Sequence, residues 1–156
     1  MTSKIDARLT ELGIELSAPG EPAGNYLPFV LTGNLLFMSG QVPIEHGVRK
    51  YIGKLGREIS VAEGQKAAAL CVVNLLAKLK IACGGDLDRV RRCVKVVGFV
   101  NSAPEFCEQP KVINGASDLL VSVFGDAGRH ARSAVGMGSL PSGVAVEIEA
   151  VFEIVT

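Results

Sequence analysis

Between residues 144 and 155 the side chains alternate with a period of two. Val144, Val146, Ile148, Ala150, Phe152 and Ile154 fall on one face, and Ala145, Glu147, Glu149, Val151, Glu153 and Val155 on the other. The pattern predicts a strand with its first face on a core. The second face mixes three carboxylates with two Val and an Ala, so it is not simply a solvated one.

The rest of the chain is read in the same way. Ile5 to Leu12 predicts a short amphipathic helix with Ile5, Leu9 and Leu12 on one side, stopped by Gly13. Ser17 to Gly24 is a Pro- and Gly-bearing connector, so residues 1–23 read as an appendage to a single domain spanning 1–156. Two short strands between Phe29 and Met38 meet at Thr32-Gly33-Asn34. A turn-rich segment reaches Ile59. Ser60-Val61-Ala62-Glu63 then forms a capping box that opens a helix to about Cys83, with Ala69, Val72, Val73, Leu76 and Leu79 as its apolar stripe and Lys66, Asn74 and Lys78 as its wet face. Val90 to Val100 is β-branched and strand-like. Pro104 reads as the first turn of a second helix over Glu105 to Phe124, ended by Gly125. Arg132 to Met137 is a short strand, and Pro141 to Gly143 a turn.

The order β-β-α-β-α-β-β predicts a mixed sheet with both helices on one face. The helix-free face, which carries the Glu side chains, then needs another cover. Composition suggests what it is: 48% of the residues are apolar and the formal net charge is zero, so little long-range repulsion separates copies of the chain. A homo-oligomer is expected.

That zero is uneven. Residues 47–95 hold eleven basic and four acidic side chains, whereas residues 112–156 hold two basic and five acidic ones. Arg132 is one of those two. The composition excludes a disordered chain, a disulfide scaffold and a polybasic nucleic-acid module. The four Cys, at 71, 83, 93 and 107, form no C-x-x-C pair, and three lie in apolar segments, which fits a reducing cytoplasm. The first residues carry no signal-peptide pattern, and no apolar run approaches the roughly 20 residues of a membrane span.

The conventional catalytic repertoire is missing. There is no H-x-E with P-C-x-x-C of a zinc deaminase, no G-x-S-x-G elbow and no Walker A lysine. Gly136-Met137-Gly138 lacks the third Gly and the following helix of a dinucleotide site. The two His, 46 and 130, are isolated in predicted loops, where surface residues are far commoner than metal ligands. Chemistry would have to come from backbone groups, a charge clamp and water.

Three stretches carry a resemblance. The first is Tyr26 with Thr32-Gly33-Asn34 and Ser39-Gly40-Gln41-Val42-Pro43. The second is Val112-Ile113-Asn114. The third and most specific is Ala131-Arg132-Ser133-Ala134-Val135, then Leu140-Pro141, then Val146-Glu147-Ile148-Glu149-Ala150. Together, over about residues 24 to 155, they resemble the RidA family, also called YjgF or endoribonuclease L-PSP.

The resemblance implies a chorismate-mutase-like α/β fold and a homotrimer, with three sheets forming a barrel, helices outside and ligand clefts between subunits. It implies hydrolysis of reactive 2-imino acids, or their enamine tautomers, to 2-oxo acids and ammonia, as in a 2-iminobutanoate/2-iminopropanoate deaminase, with no metal or organic cofactor. Arg132 matches the family's carboxylate-binding arginine, a role that suits a planar guanidinium. Glu147 matches the acidic residue near the attacking water. Tyr26, Gly40, Asn114 and Ala134 match ligand-adjacent positions. Many relatives carry Cys at the position of Ala134 and Pro at that of His130. The expected partner is a small carboxylate-bearing imine or 2-oxo acid, without membrane or nucleic acid. Two other readings stand beside it: a non-catalytic binder of small carboxylates or regulatory trimer, in which Glu147 is dispensable, and a ribonuclease or translation inhibitor, which two loop His and the absence of a basic, aromatic-bearing stretch do not favour.

Overall fold

The computed structural model describes residues 3–156. Met1 and Thr2, the start of the expected appendage, lie outside the described residues.

A five-stranded sheet in the order β1-β2-β7-β5-β6 forms the frame. Strands β1 (Phe29–Thr32) and β2 (Leu35–Gln41) turn at Gly33-Asn34, with Gly33 at φ 59°, where its missing Cβ removes the steric cost. β7 (Val146–Ile154) pairs antiparallel with both β2 and β5 (Val90–Asn101), and β6 (Ala131–Met137) closes the far edge parallel to β5. The expected mixed sheet is therefore present. A small hairpin, β3 (Ile44–Glu45) and β4 (Val48–Arg49), lies within the turn-rich segment, with His46 in its turn at φ 50°.

Helices α2 (Val61–Ala82) and α3 (Gln109–Phe124) cover one face of the sheet. Against them lie Val146, Ile148, Ala150, Phe152 and Ile154 of β7 with Cys93, Val96 and Val100 of β5, all buried. The period-two reading of the last strand thus identified the core face. Ser60 and Glu63 form the reciprocal capping box at the start of α2.

Two expectations change. The second helix begins at Gln109, with Pro110 rather than Pro104 in its first turn. Leu55 holds the chain back: Ala103 N–H donates to Leu55 O at 2.9 Å, and Phe106 packs on Gly56, so residues 103–108 stay a loop. Either Pro suits a first helical turn, and only the long-range contact chooses. The apolar stripe of α2 is also broader than expected. Val72, Leu76 and Leu79 are buried as read, Ala69 and Val73 are only half-buried, and Ala67, Ala68, Cys71 and Leu75 are buried beside them. Asn74, read as wet, donates to Val42 O at 2.9 Å. α2 packs on the sheet and on α3 at once, so it buries more than one stripe. At the crossing, a Cβ on Gly115 would strike the backbone carbonyl of Gln65, so glycine sets the approach of the two helices.

The short helix α1 (Lys4–Glu11) folds onto this layer. Leu9 is buried, and the Asp88 carboxylate accepts from the Lys4 and Ile5 N–H groups at 2.8 Å each. These are orphan donors of a helix start. Lys80 Nζ pairs with Asp6 at 2.7 Å. No helix of the described residues is long and apolar enough to cross a membrane.

Among the described residues, the opposite face of the sheet carries no helix. It exposes Val30, Phe37 and Val135 beside half-buried Val97, Phe99 and Val151.

Candidate functional site

Arg132 is the second residue of the edge strand β6. Its register partner on β5 is buried Val96, so its side chain leaves the sheet on the helix side. There α3 receives it. Nη1 donates to Asn114 Oδ1 at 2.8 Å and to Ser117 Oγ at 3.2 Å, and Nη2 reaches the Pro110 carbonyl at 3.4 Å. Both Nη1 hydrogens are used, and Nε–H has no partner among the described residues. Nε–H and the second Nη2 hydrogen remain, and a carboxylate can fork onto that edge. Asn114 and Arg132, widely separated in sequence, are thus brought together. Ser117 and Pro110 were not singled out from the sequence. Their signal is the spacing 110, 114, 117, which places all three residues on one helix face.

Glu147 stands on the other side of the sheet. Its neighbours Val146 and Ile148 are buried under the helices, and its register partner Phe99 faces away from them. A bulge in β2 between Met38 and Gln41 places Ser39 and Gly40 opposite β7. A Cβ on Gly40 would collide with Glu147 Oε1. The glycine is therefore explained by this carboxylate rather than by a turn alone. Glu147 is half-buried. Burial, and then the negative charge of Glu149 on the same face, hold its carboxyl above its ordinary range.

The expected residues form two groups. Gly40 touches Glu147 on the helix-free face, while Asn114 holds Arg132 on the helix face. Ala134 lies on the helix side of β6, opposite Gly98, half-buried against the core. Because β6 is an edge strand, it pairs with β5 on one side only. Tyr26 is 55% exposed, in the segment before β1. Ser39 fastens that segment, donating through Oγ to Leu27 O at 2.7 Å and through N–H to Pro28 O at 3.0 Å, so Tyr26 lies at the Gly40 end of the sheet. Arg132 and Glu147 do not meet within one chain.

Elsewhere on the free face, an open groove of about 350 Å³ is lined by Val30, Phe37, Ser39, Lys95, Val97 and Glu149. Among the described residues no group of three His, Cys, Asp or Glu side chains is placed to hold a metal ion. Cys71, Cys83 and Cys93 are buried and Cys107 is exposed. Burial pushes the Cys93 thiol up to about 12.

Sequence and structure comparisons agree with this frame. Residues 6–147 match the model of the YjgF/chorismate mutase-like family, whose description also carries an endoribonuclease label. The chain belongs to the YjgF (RidA) family. Protein TCP17 of Trypanosoma cruzi is 47% identical over 98% of this chain and 96% of its own length. The crystal structure of Atu1372 from Agrobacterium tumefaciens, a protein of unknown function, superposes with a TM-score of 0.91 at 52% identity, over 97% of this chain and 92% of that one. A Shewanella oneidensis structure carrying the endoribonuclease label gives a TM-score of 0.93 at 36% identity, over 96% and 99% of the two chains.

Proposed function

We propose that this YjgF-family protein hydrolyses reactive 2-imino acids, or their enamine tautomers, to 2-oxo acids and ammonia in clefts between copies of a homotrimer. The observation that carries the reading is Arg132. Its Nη1 is spent on Asn114 and Ser117, and its Nε edge is left for a carboxylate. A guanidinium held this way binds a 2-imino acid by its carboxylate and fixes the position of the adjacent imine carbon.

Glu147 supplies the second function. The substrate is most reactive as the iminium, R–C(=NH2⁺)–COO⁻. Water adds to the imine carbon, losing a proton to the Glu147 carboxylate. Glu147 returns that proton to the carbinolamine nitrogen, the C–N bond breaks to release ammonia, and the hydroxyl on the same carbon gives its proton to Glu147 as it becomes the carbonyl of R–CO–COO⁻; ammonia then carries that proton away as ammonium. A carboxyl whose protonated form is favoured by burial is a stronger base than an exposed one, and its charge offsets the iminium. Since Arg132 and Glu147 leave the sheet on opposite faces, joining them in one cleft takes two chains. The apolar helix-free face, with Val30, Phe37 and Val135 exposed, is the surface such an assembly covers.

The endoribonuclease label finds no acid/base pair of His here. His46 sits on the β3–β4 turn, and His130 is bonded to Ser117 and Gly128.

The test is to generate 2-iminobutanoate and 2-iminopropanoate with an amino acid dehydratase or oxidase and to follow release of 2-oxo acid. Acceleration by the wild type, lost in Arg132→Ala and in Glu147→Gln, is expected. No acceleration with several imines, or full activity of Arg132→Ala, would overturn the reading. Calorimetric binding of 2-oxobutanoate without turnover would make the protein a carboxylate binder instead. Sedimentation equilibrium gives the assembly: a monomeric mass removes the cleft.

A further inference from the structure

The hydrogen bonds behind Arg132 continue past Ser117. His130 directly precedes β6, and its Nδ1 lies 2.7 Å from the Gly128 carbonyl oxygen. A carbonyl only accepts, so Nδ1 carries a proton. In the neutral ring Nε2 is then a bare acceptor, and it lies 2.9 Å from Ser117 Oγ. Ser117 therefore donates its hydroxyl hydrogen to His130 and keeps its lone pairs for the Nη1–H of Arg132, 3.2 Å away. Every proton in the row from Arg132 to Gly128 has one direction.

We propose that His130 and Ser117 are positioning residues for Arg132, a relay that sets the direction of the Ser117 hydroxyl and so orients the guanidinium toward a carboxylate ligand. The proposal rests on Arg132 being the carboxylate anchor. Asn114 holds one Nη1 hydrogen at 2.8 Å and the Pro110 carbonyl lies a long 3.4 Å from Nη2, which leaves the guanidinium plane some swing. A second acceptor on the same nitrogen removes that swing. A serine hydroxyl makes a reliable acceptor only when its own hydrogen is committed elsewhere, and His130 commits it. The half-buried ring suits the role, since burial and the nearby Arg132 charge both favour its neutral form. The relay needs no metal, cofactor or second charge, and it acts on the ligand only through Arg132. The effect therefore falls on binding rather than on the chemical step.

Four single variants and one double variant test this, read by steady-state hydrolysis of 2-iminobutanoate and by calorimetric Kd for 2-oxobutanoate. His130→Phe keeps a ring but removes the acceptor. Its KM and Kd are expected to rise about fivefold, the scale of one neutral hydrogen bond, with kcat within about twofold. Ser117→Ala should match it, and His130→Phe/Ser117→Ala should be no worse than either single variant, because the two act as one device. His130→Gln, which can offer an amide oxygen in place of Nε2, should recover most of the affinity. Arg132→Ala separates the two ideas. If Arg132→Ala loses binding while His130→Phe and Ser117→Ala bind as the wild type does, the relay is wrong and the anchor stands. Additive losses in the double variant also overturn the relay. If Arg132→Ala binds 2-oxobutanoate normally, the anchor is wrong and the relay falls with it. Should His130→Phe melt early, Ser117→Ala and His130→Gln decide the matter.

Discussion

The Glu147 carboxylate lies over the backbone of Gly40, where an added Cβ would collide with Oε1 and stand 3.1 Å from Cδ. The two residues reach each other across β7 and β2 because the bulge after Met38 turns Gly40 toward the helix-free face. Glycine here makes room for an acid. Gly40→Ala meets the mobile end of a side chain rather than backbone, so the fold should yield at little cost. Its melting temperature is expected to stay close to the wild type, with ΔΔG within about 1 kcal/mol. Imine hydrolysis should fall about tenfold or more as the carboxylate is displaced, part of the roughly 10²–10⁴-fold that a general base contributes. Thermal melts alongside steady-state kinetics check the split.

Glu147 should give the protein a pH signature. Its folded-state pKa is raised, first by burial and then by Glu149. The acid limb of kcat/KM is therefore expected above the ordinary Glu value of about 4.3, and Glu149→Gln should move it to lower pH. The stability consequence has a definite sign. A raised carboxyl contributes most below its unfolded pKa, and that contribution is lost as pH rises through the folded pKa. Glu147→Gln should thus melt above the wild type at pH 7, with the gap closing toward pH 4 in a melting series.

His130 should behave in the opposite sense. Burial lowers its pKa, the hydrogen bond to the Gly128 carbonyl opposes it by less, and the Arg132 charge adds a smaller lowering. The folded state prefers the neutral ring, so this contribution is present above the unfolded value near 6.5 and is lost as pH falls through the folded one. Melts of the wild type and His130→Gln between pH 8 and 5 should show the wild type losing more stability on the acid side.

Gly115→Ala is the counterpart of Gly40→Ala. Its Cβ would meet the Gln65 backbone, and no side chain can swing aside. Forcing α2 and α3 apart should cost about 2–3 kcal/mol and lower the melting temperature by roughly 5–10 °C. Asn114 and Ser117 flank this glycine on α3, so Arg132 should lose its seat and KM should rise. Denaturant unfolding and kinetics on the same sample give both readings.

Asp88→Ala should undock α1. Its two carboxylate oxygens are the acceptors for the Lys4 and Ile5 N–H groups, and their loss is expected to cost about 1–2 kcal/mol. Limited proteolysis followed by mass spectrometry should show faster cleavage within residues 13–23, with imine hydrolysis retained.

The local signals in the chain were enough for the main elements and for the layer arrangement, though not for the β3–β4 hairpin or the start of α3. The alternation over 144–155 marked the core face of β7, Gly33-Asn34 marked the β1–β2 turn, and Ser60 with Glu63 marked the start of α2. Each of these depends on residues a few positions apart. The family motif named Arg132 and Glu147 for the same reason: its spacing is written along the chain. Tertiary structure alone decided that these two side chains leave the sheet on opposite faces, that Gly40 makes room for Glu147, and that Ser117 and His130 stand behind Arg132. It also chose Pro110 over Pro104, through the hold of Leu55 on Ala103. Periodicity reports which face of one element is apolar. It carries no record of which distant backbone or side chain that face will meet, and strand register and helix packing set those contacts.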